Sequence, residues 1–180
     1  MLQRGRGAAF MPGVWVFAGG VVDPGDFEAA ASPPAGLDPD EWAHRICGAR
    51  ELGEEGGIEL PASELRAWSR WITPEPVPRR FDTRFYVALA PAHSSPVADG
   101  FEMDQALWIS AADALAAARK AEMDISFPTI HHLNELDRLG DAGAVVEASE
   151  ERIVEPILPK AVGTRASFRV LLPGDPDYPE

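Results

Sequence analysis

Residues 50–58 read R-E-L-G-E-E-G-G-I and combine helix-forming side chains with three closely spaced carboxylates. Side chains three and four positions apart share one face of a helix, so Glu51, Glu54 and Glu55 are expected to form one acidic patch. The glycine pair that follows ends the helix. Because like charges at this spacing destabilise a helix, the patch predicts a bound cation.

The donor chemistry of the patch is that of a hard divalent cation. Mg²⁺ takes oxygen ligands, keeps several waters and bridges to substrate phosphates, which suits carboxylates without His or Cys partners. The alternative interpretation is a solvated acidic face that binds nothing. The surrounding pattern favours the metal site, because Arg50 precedes the run and the pair Gly19-Gly20 follows an apolar stretch upstream.

The helix that carries the patch is predicted over residues 41–55. Its apolar residues Trp42, Ile46 and Ala49 are spaced for one face, which we expect to be the core side, opposite the carboxylates. The helix should therefore separate a core face from a charged face. His44 and Cys47 lie toward the acidic side, but no second Cys or paired His completes a zinc site, so packing is the favoured role.

The remaining elements follow from apolar patterns and from the positions of Gly and Pro. We predict a strand within residues 13–22, a loop or insertion over 23–40, strands over 68–72 and 81–88 around a proline-rich turn at 75–80, a strand over 106–109, helices over 111–121 and 130–139, and two short strands within 153–172. Residues 1–140 form the main domain, with an insertion at about 27–40, and residues 141–180 form a C-terminal extension ending in a Pro-rich tail.

Composition narrows the classes of partner. The 180 residues are 46% hydrophobic and carry a formal net charge of −13, which argues against a nucleic-acid surface. No apolar run is long enough for a transmembrane helix, and the N-terminus lacks a secretory signal. The single cysteine excludes an internal disulfide and suits a reducing compartment. The expected location is therefore the cytoplasm.

These motifs together resemble the Nudix family. Gly20 fits the first glycine of the Nudix box, Asp26 stands where the family usually has Glu, and residues 50–58 fit the second half without mismatch. An insertion lengthens the spacer between Asp26 and Arg50. The stretches FMPGVWVFAGGVVDPGD, WITPEPVPRRFDTRFYVA and SFPTIHHLNEL are similar to the branch that includes the peroxisomal coenzyme A diphosphatases, and the resemblance covers residues 1–139.

The resemblance implies a fold and an activity. The fold class is α/β (α+β), a Nudix-type α/β/α sandwich with a mixed sheet. The activity is Mg²⁺-dependent hydrolysis, with Mn²⁺ as a substitute, of a phosphoanhydride bond in a nucleoside-diphosphate-linked small molecule. Coenzyme A or acyl-coenzyme A is the first substrate to try, and ADP-ribose, dinucleotides and nucleoside triphosphates remain open. The alternative is a catalytically weak or inactive nucleotide-binding or regulatory module, against which the three intact glutamates argue.

The resemblance also implies roles for particular residues. Glu54 and Glu55 would bind the metal, Glu51 would bind a metal or orient the attacking water, and the carbonyl of Gly19 would complete the metal's ligands. Arg50 would hold the helix and the glycine loop together through carboxylate contacts.

Further candidates for the site have weaker support in the sequence. The guanidinium groups of Arg4, Arg6, Arg79 and Arg80 are suited to phosphates, with surface solubility as the competing explanation. Glu102 is a candidate metal ligand or general base, or simply a residue of a polar loop. Four aromatic residues could stack a base or belong to the core, and His131-His132 is predicted on a helix surface. The aromatic residues are Trp71, Phe85, Tyr86 and Trp108.

A Nudix-type sheet is also expected to have a strand upstream of Leu2, which this sequence does not contain. Two interpretations remain open. Either the reading frame begins upstream of Met1, or the gap is filled within a homodimer by the apolar segment 168–172, because an unpaired strand edge invites another strand.

Overall fold

The structure, a computed structural model, describes residues 1–74, 79–164 and 167–179. It mixes strands and helices along the chain, which confirms the predicted α+β class. The strands are β1 (Leu2–Arg4), β2 (Trp15–Val16), β3 (Arg66–Ile72), β4 (Asp82–Val87), β5 (Met103–Ala106), β6 (Pro156–Ile157), β7 (Lys160–Thr164) and β8 (Ser167–Leu171). The α-helices are α1 (Pro24–Ala29), α2 (Pro39–Gly56), α3 (Ala111–Arg119), α4 (Phe127–Leu139) and α5 (Ala142–Glu150). Positions 75–78 of the predicted proline-rich turn lie outside the described residues.

Three sheets organise these strands. In the first, β1 lies between β2 and β5 and is antiparallel to both. In the second, β3 lies between antiparallel β4 and parallel β6, so this sheet is mixed. The third sheet is the β7–β8 hairpin. Strand β8 contains most of the segment 168–172, which was expected above to fill the gap in a homodimer, and it pairs here with β7 of its own chain. The expected strand upstream of Leu2 stays a prediction.

Helix α2 has clear signals at both ends. Asp38 caps its start, because its side chain accepts hydrogen bonds from the N–H groups of Asp40 and Glu41, and Pro39 occupies the first turn. Gly57 ends it in the left-handed region at φ 65°. The helix therefore spans Pro39–Gly56 and confirms the predicted helix over residues 41–55.

The predicted orientation of α2 was wrong. Its fully buried residues include Ala43, Cys47 and Glu55, whereas Trp42 and Ile46 are only half-buried. The acidic side is thus an inner side, because the loop that follows β2 lies against Glu51 and Glu55 and the side chain of Leu2 on β1 lies beside Gly56. This covering comes from segments distant in the sequence, which the helix periodicity alone does not report.

Residues 24–29 form helix α1 inside the segment predicted as a loop. The N–H of Asp26 donates to Asp23 Oδ1 and the N–H of Asp23 donates to Asp26 Oδ2, both at 3.0 Å. This reciprocal capping box satisfies two backbone donors at the start of the helix, with Pro24 in the first turn. Two aspartates three positions apart thus give order to a segment rich in Pro, Gly and Ala.

Strand β5 lies at Met103–Ala106 rather than at the predicted 106–109. The side chain of Asp99 accepts hydrogen bonds from the N–H groups of Phe101, Glu102 and Met103, which turns the chain into the strand early. Met103 is fully buried, whereas Trp108 is 58% exposed. The turn, rather than the apolar residues after it, sets the register of β5.

His132 lies in the core rather than on a helix surface. It is 2% exposed, its Nε2 lies 2.6 Å from Ser69 Oγ, and its ring centroid lies 4.3 Å from that of Phe85. Burial lowers the pKa of His132 to about 4.

Within the described ranges, none of the helices is long and apolar enough to cross a bilayer.

The segment after Gly140 contains helix α5, which was not predicted because the helix is short and its Gly143 and two adjacent Val residues weaken the helix signal. Asp141 caps it by accepting from Ala144 N–H. Arg152 then follows and places its guanidinium carbon 4.0 Å from the ring centroid of Trp68. Arg152 also donates to Glu135 at 3.0 Å and to the carbonyl of Trp68. The C-terminal segment is thereby fastened to β3 and α4.

We predict that Arg152→Ala lowers the free energy of unfolding by about 1–3 kcal/mol, because a partly buried cation–π contact and charge-assisted hydrogen bonds are lost together. Urea unfolding measures the change. Arg169→Ala is the control, since its ion pair with Asp177 is well exposed, and it should shift stability by less than about 0.5 kcal/mol. Equal effects of the two substitutions would show that Arg152 is not an anchor.

Candidate active site

Arg50 joins helix α2 to helix α1. Its Nε donates to Asp26 Oδ1 at 3.1 Å and its Nη2 donates to Asp26 Oδ2 at 2.9 Å. This is a two-pronged contact with a carboxylate that is only 3% exposed. The hydrogen bonds from Arg50 hold the pKa of Asp26 below its usual range. Asp26 therefore occupies a defined place despite the insertion.

The same guanidinium also binds the acidic patch. Its Nη1 donates to Glu51 Oε1 at 2.9 Å and to Glu54 Oε2 at 3.0 Å. Its Nη2 lies 3.5 Å from the carbonyl oxygen of Val21, in the loop after β2. Arg50 thus connects α1, the glycine loop and two of the three glutamates.

The glycine pair lets the loop approach the carboxylates. A Cβ at Gly20 would lie 2.0 Å from Glu51 Oε1, so no larger residue fits there without displacing Glu51. The N–H of Gly19 donates to Glu55 Oε2 at 2.8 Å. The loop therefore directly contacts the carboxylates of Glu51 and Glu55, which are the two inner carboxylates of the patch.

Glu55 is a buried acid and Glu51 a half-buried one, and the negative charge of each is incompletely compensated. Glu55 is 4% exposed, and burial raises its pKa to about 7, against the lowering effect of the hydrogen bond from Gly19. The negative charges of Glu51 and Glu102 raise it further. Burial also raises the pKa of Glu51, which Arg50 only partly offsets. A cation between them would remove this cost.

The donor set fits a hard divalent ion by its chemistry, because it consists of carboxylate and carbonyl oxygens. Within the described part of the chain, no three Asp, Glu, His or Cys side chains are arranged as a ready-made cage. The reason is visible at Arg50, which holds the carboxylates of Glu51 and Glu54. Glu54 is also the outermost of the three, with a side chain 60% exposed.

Glu102 is brought to the inner carboxylates by a well-fixed loop. Its carbonyl accepts a hydrogen bond from Gly5 N–H at 2.7 Å, and the N–H of Glu102 donates to the carboxylate of Asp99. The same loop is joined to the end of α2, because Val97 N–H donates to the carbonyl of Gly56 at 2.8 Å. Asp99 was missed from the sequence, although Asp before Gly is a turn signal.

A cavity of about 1710 Å³ opens onto this arrangement. Its walls include the glycine loop, the inner carboxylates, Glu102 and three of the predicted arginines. These arginines are Arg4, Arg79 and Arg80. Arg6 is not part of the lining, and its backbone N–H donates to Asp104.

Of the four aromatic candidates, Phe85, Tyr86 and Trp108 line the cavity, whereas Trp71 is a core residue. Cys47 also lines it, and it lies 3.6 Å from Arg50 Nη2. Burial and the neighbouring carboxylates raise the pKa of the Cys47 thiol to about 11. The thiol therefore remains protonated and packs beneath the site.

The family model described as NUDIX domain matches residues 1–130 of this chain. The chain belongs to the Nudix family, and it is a hydrolase that acts on acid anhydrides. As a family, Nudix hydrolases use divalent metal ions and act on small molecules.

Two curated relatives and one solved structure show the likeness across the chain. It is 27% identical to "Acyl-coenzyme A diphosphatase NUDT19" of Gallus gallus, covering 99% of this chain and 72% of that protein. It is 26% identical to "Putative nudix hydrolase 7" of Caenorhabditis elegans, covering 99% and 68%. The crystal structure of a NUDIX hydrolase from Alicyclobacillus acidocaldarius matches with a TM-score of 0.73 and 27% identity, covering 86% of this chain and 88% of that one.

We predict that Glu55→Gln raises the stability of the metal-free protein above pH 7. The raised pKa of Glu55 means that the folded state holds this proton more tightly than the unfolded state. The free energy of unfolding therefore falls as the pH rises from 4.5, the ordinary value, through about 7. Gln cannot ionise and still accepts a hydrogen bond from Gly19, so the gain should reach about 1–3 kcal/mol above pH 7 and vanish below pH 4.5.

Denaturant unfolding in a chelating buffer between pH 4 and 8 measures this difference. Glu147→Gln, on an exposed part of α5, is the matched control and should run parallel to the unmodified protein. A constant offset at every pH, or no gain at pH 8, would contradict the assignment of Glu55 as a buried, uncompensated acid.

Proposed function

We propose that this Nudix hydrolase is a divalent-metal-dependent diphosphatase of nucleoside-diphosphate-linked small molecules, with coenzyme A or acyl-coenzyme A as the first substrates to test. The observation that carries the proposal is a pair of incompletely compensated carboxylates, buried Glu55 and half-buried Glu51, in the wall of a large cavity that also presents arginines. Acids and guanidinium groups in one cavity suit a metal ion bridged to phosphates.

The metal would be held by Glu51, Glu54, Glu55 and the carbonyl of Gly19. Mg²⁺, or Mn²⁺ in its place, supplies charge neutralisation on the phosphoryl oxygens and an aligned water when bound. The arrangement around Arg50 supports these assignments, because Arg50 fixes Glu51 and Glu54 relative to the glycine loop. Arg50 is accordingly a positioning residue.

The substrate's polar groups would be met by further residues of the cavity. Arg4 and Arg80 line the cavity and would donate to phosphate oxygens. Arg6, between the lining residues Gly5 and Gly7, would add a third guanidinium. Glu102, beside Glu55, would accept the proton of the attacking water or add a metal ligand. Phosphoryl transfer needs this combination of positioning and charge stabilisation more than covalent catalysis.

Coenzyme A is the preferred substrate for two reasons. The relative from Gallus gallus is named an acyl-coenzyme A diphosphatase and aligns over nearly this whole chain. In addition, the cavity is large enough for an extended ligand and combines arginines with apolar walls. ADP-ribose, NADH and nucleoside triphosphates are the competing substrates.

We further propose a small-molecule partner rather than nucleic acid, on the net charge of −13, and a cytoplasmic location. Residues 1–140 would be the catalytic domain and 141–180 an extension docked onto it, which the pairing of β6 with β3 supports. A homodimer built through the β7–β8 hairpin is the assembly to look for by light scattering.

The test is a panel of diphosphates with Mg²⁺ or Mn²⁺, with products identified by mass spectrometry. Coenzyme A should give a 4′-phosphopantetheine product and adenosine 3′,5′-bisphosphate. Tight nucleotide binding without turnover across the panel would instead favour a catalytically inactive binding module.

We predict that Glu54→Gln and Glu55→Gln each lower kcat by about 10²-fold or more while the fold persists, because each removes a negative oxygen that stabilises the metal at the phosphates. Circular dichroism checks the fold and product release measures kcat. Glu147→Gln again serves as the control at full activity. Turnover near the unmodified level in Glu55→Gln would refute the metal-site assignment.

A further inference from the structure

Two adjacent arginines in the cavity wall come from a segment distant from the carboxylates. Arg79 and Arg80 precede β4, whereas the acidic patch lies on α2. Phosphate contact at the reacting diphosphate does not by itself require both of them, since Arg4 already lies close enough to lower the pKa of Glu55. Their role needs a separate explanation.

The ion-pair pattern distinguishes these arginines from their neighbours. Arg66 and Arg70 on β3, and Arg84 on β4, each bind a carboxylate of the protein. Within the described residues, Arg79 and Arg80 bind none. In a chain with a net charge of −13, two neighbouring guanidinium groups that have no carboxylate partner among the described residues favour an anionic ligand.

Each of these two arginine side chains is held in place by one contact. The guanidinium carbon of Arg79 lies 5.2 Å from the ring centroid of Phe81, which supports its flat face. Arg80 donates from Nε to the carbonyl of Thr73 at 3.0 Å, and Thr73 N–H donates to the carbonyl of Phe81 across the same turn. The terminal N–H groups of Arg80 point to no acceptor among the described residues.

An exposed aromatic ring completes this region. Phe10 is 45% exposed, and its ring centroid lies 5.9 Å from that of Phe81. Arg4 holds the Phe10 loop, because its Nε donates to the carbonyl of Phe10 at 3.0 Å. The aromatic surface is thereby tied to β1, the strand that covers the acidic side of α2.

We infer that Arg79 and Arg80 form a second anion subsite, which binds a phosphomonoester on the ribose of the substrate while the base packs on Phe10. The inference deepens the proposed function and rests on it. A phosphomonoester carries nearly two negative charges and three acceptor oxygens, so it matches two neighbouring guanidinium groups better than a single carboxylate does. The substrate class is therefore nucleoside diphosphate derivatives that carry an additional ribose phosphate.

The test compares substrates that differ only in that phosphate. Coenzyme A and 3′-dephospho-coenzyme A probe the 3′ position, and NADPH and NADH probe the 2′ position. With the unmodified enzyme we expect kcat/KM to be at least about tenfold higher for one phosphorylated member, through KM rather than kcat. Which pair shows the preference identifies the position of the phosphate.

The double variant Arg79→Ala/Arg80→Ala should abolish this preference, measured as the ratio of kcat/KM for the phosphorylated member to kcat/KM for the unphosphorylated member. Arg138→Ala, on the exposed end of α4, is the matched control and should retain the preference. The absence of a preference in both pairs, or its persistence in the double variant, would overturn the subsite.

A binding measurement separates this inference from the proposed function. Calorimetry with metal-free protein compares adenosine 3′,5′-bisphosphate and adenosine 2′,5′-bisphosphate with AMP. One bisphosphate should bind at least about tenfold more tightly than AMP, and the double variant should lose that difference. If no diphosphate is hydrolysed, the proposed function fails, but this result still decides the subsite, and equal affinities for all three ligands overturn it.

Discussion

The contacts of one guanidinium, that of Arg50, determine how the rest of the site is arranged. It binds Asp26 through two hydrogen bonds and Glu51 and Glu54 through another nitrogen, so α1, the glycine loop and α2 are fixed to one another. Without it, the buried carboxylate of Asp26 would have no cation, which is a strongly unfavourable state. The insertion within the Nudix box is compatible with the site, because Asp26 lies on α1 and there contacts the guanidinium of Arg50. A capping box at the start of α1 stabilises this helix.

The site is built at some expense of stability. Half-buried Glu51 and buried Glu55 lie near each other and near Glu102, and their raised pKa values mean that ionisation is disfavoured in the folded protein. The start of α2 is correspondingly well held, since Glu41 accepts from Arg45 at 3.0 Å, from Arg84 at 2.8 Å and from Tyr86 at 3.3 Å. This network joins the helix to β4. The network keeps the start of α2 in place while the other end of the helix carries uncompensated negative charge. Functional sites commonly combine a local cost in stability with stabilising contacts elsewhere.

The sequence was sufficient for what depends on local pattern. Helix α2, its glycine end and the grouping of three glutamates follow from spacing, and the Nudix resemblance supplied the fold class. The failures concern contacts between distant segments. The buried side of α2 depends on β1, and the position of His132 depends on Ser69 and Phe85. Helices α1 and α5 are short, so their aspartate caps, rather than their periodicity, were the signal to use.

In the proposed function, the contact between Arg50 and Asp26 shapes a metal site on the carboxylates of α2. Electron paramagnetic resonance titration of Mn²⁺ measures this directly, with the unmodified protein and with Asp26→Asn, which keeps the side-chain size and removes the charge opposite Arg50. We expect the unmodified protein to bind Mn²⁺ and Asp26→Asn to bind it about 10–100-fold more weakly, because partners behind metal ligands tune affinity by this amount. Equal affinities in two folded proteins, or no Mn²⁺ binding by the unmodified protein, would contradict it.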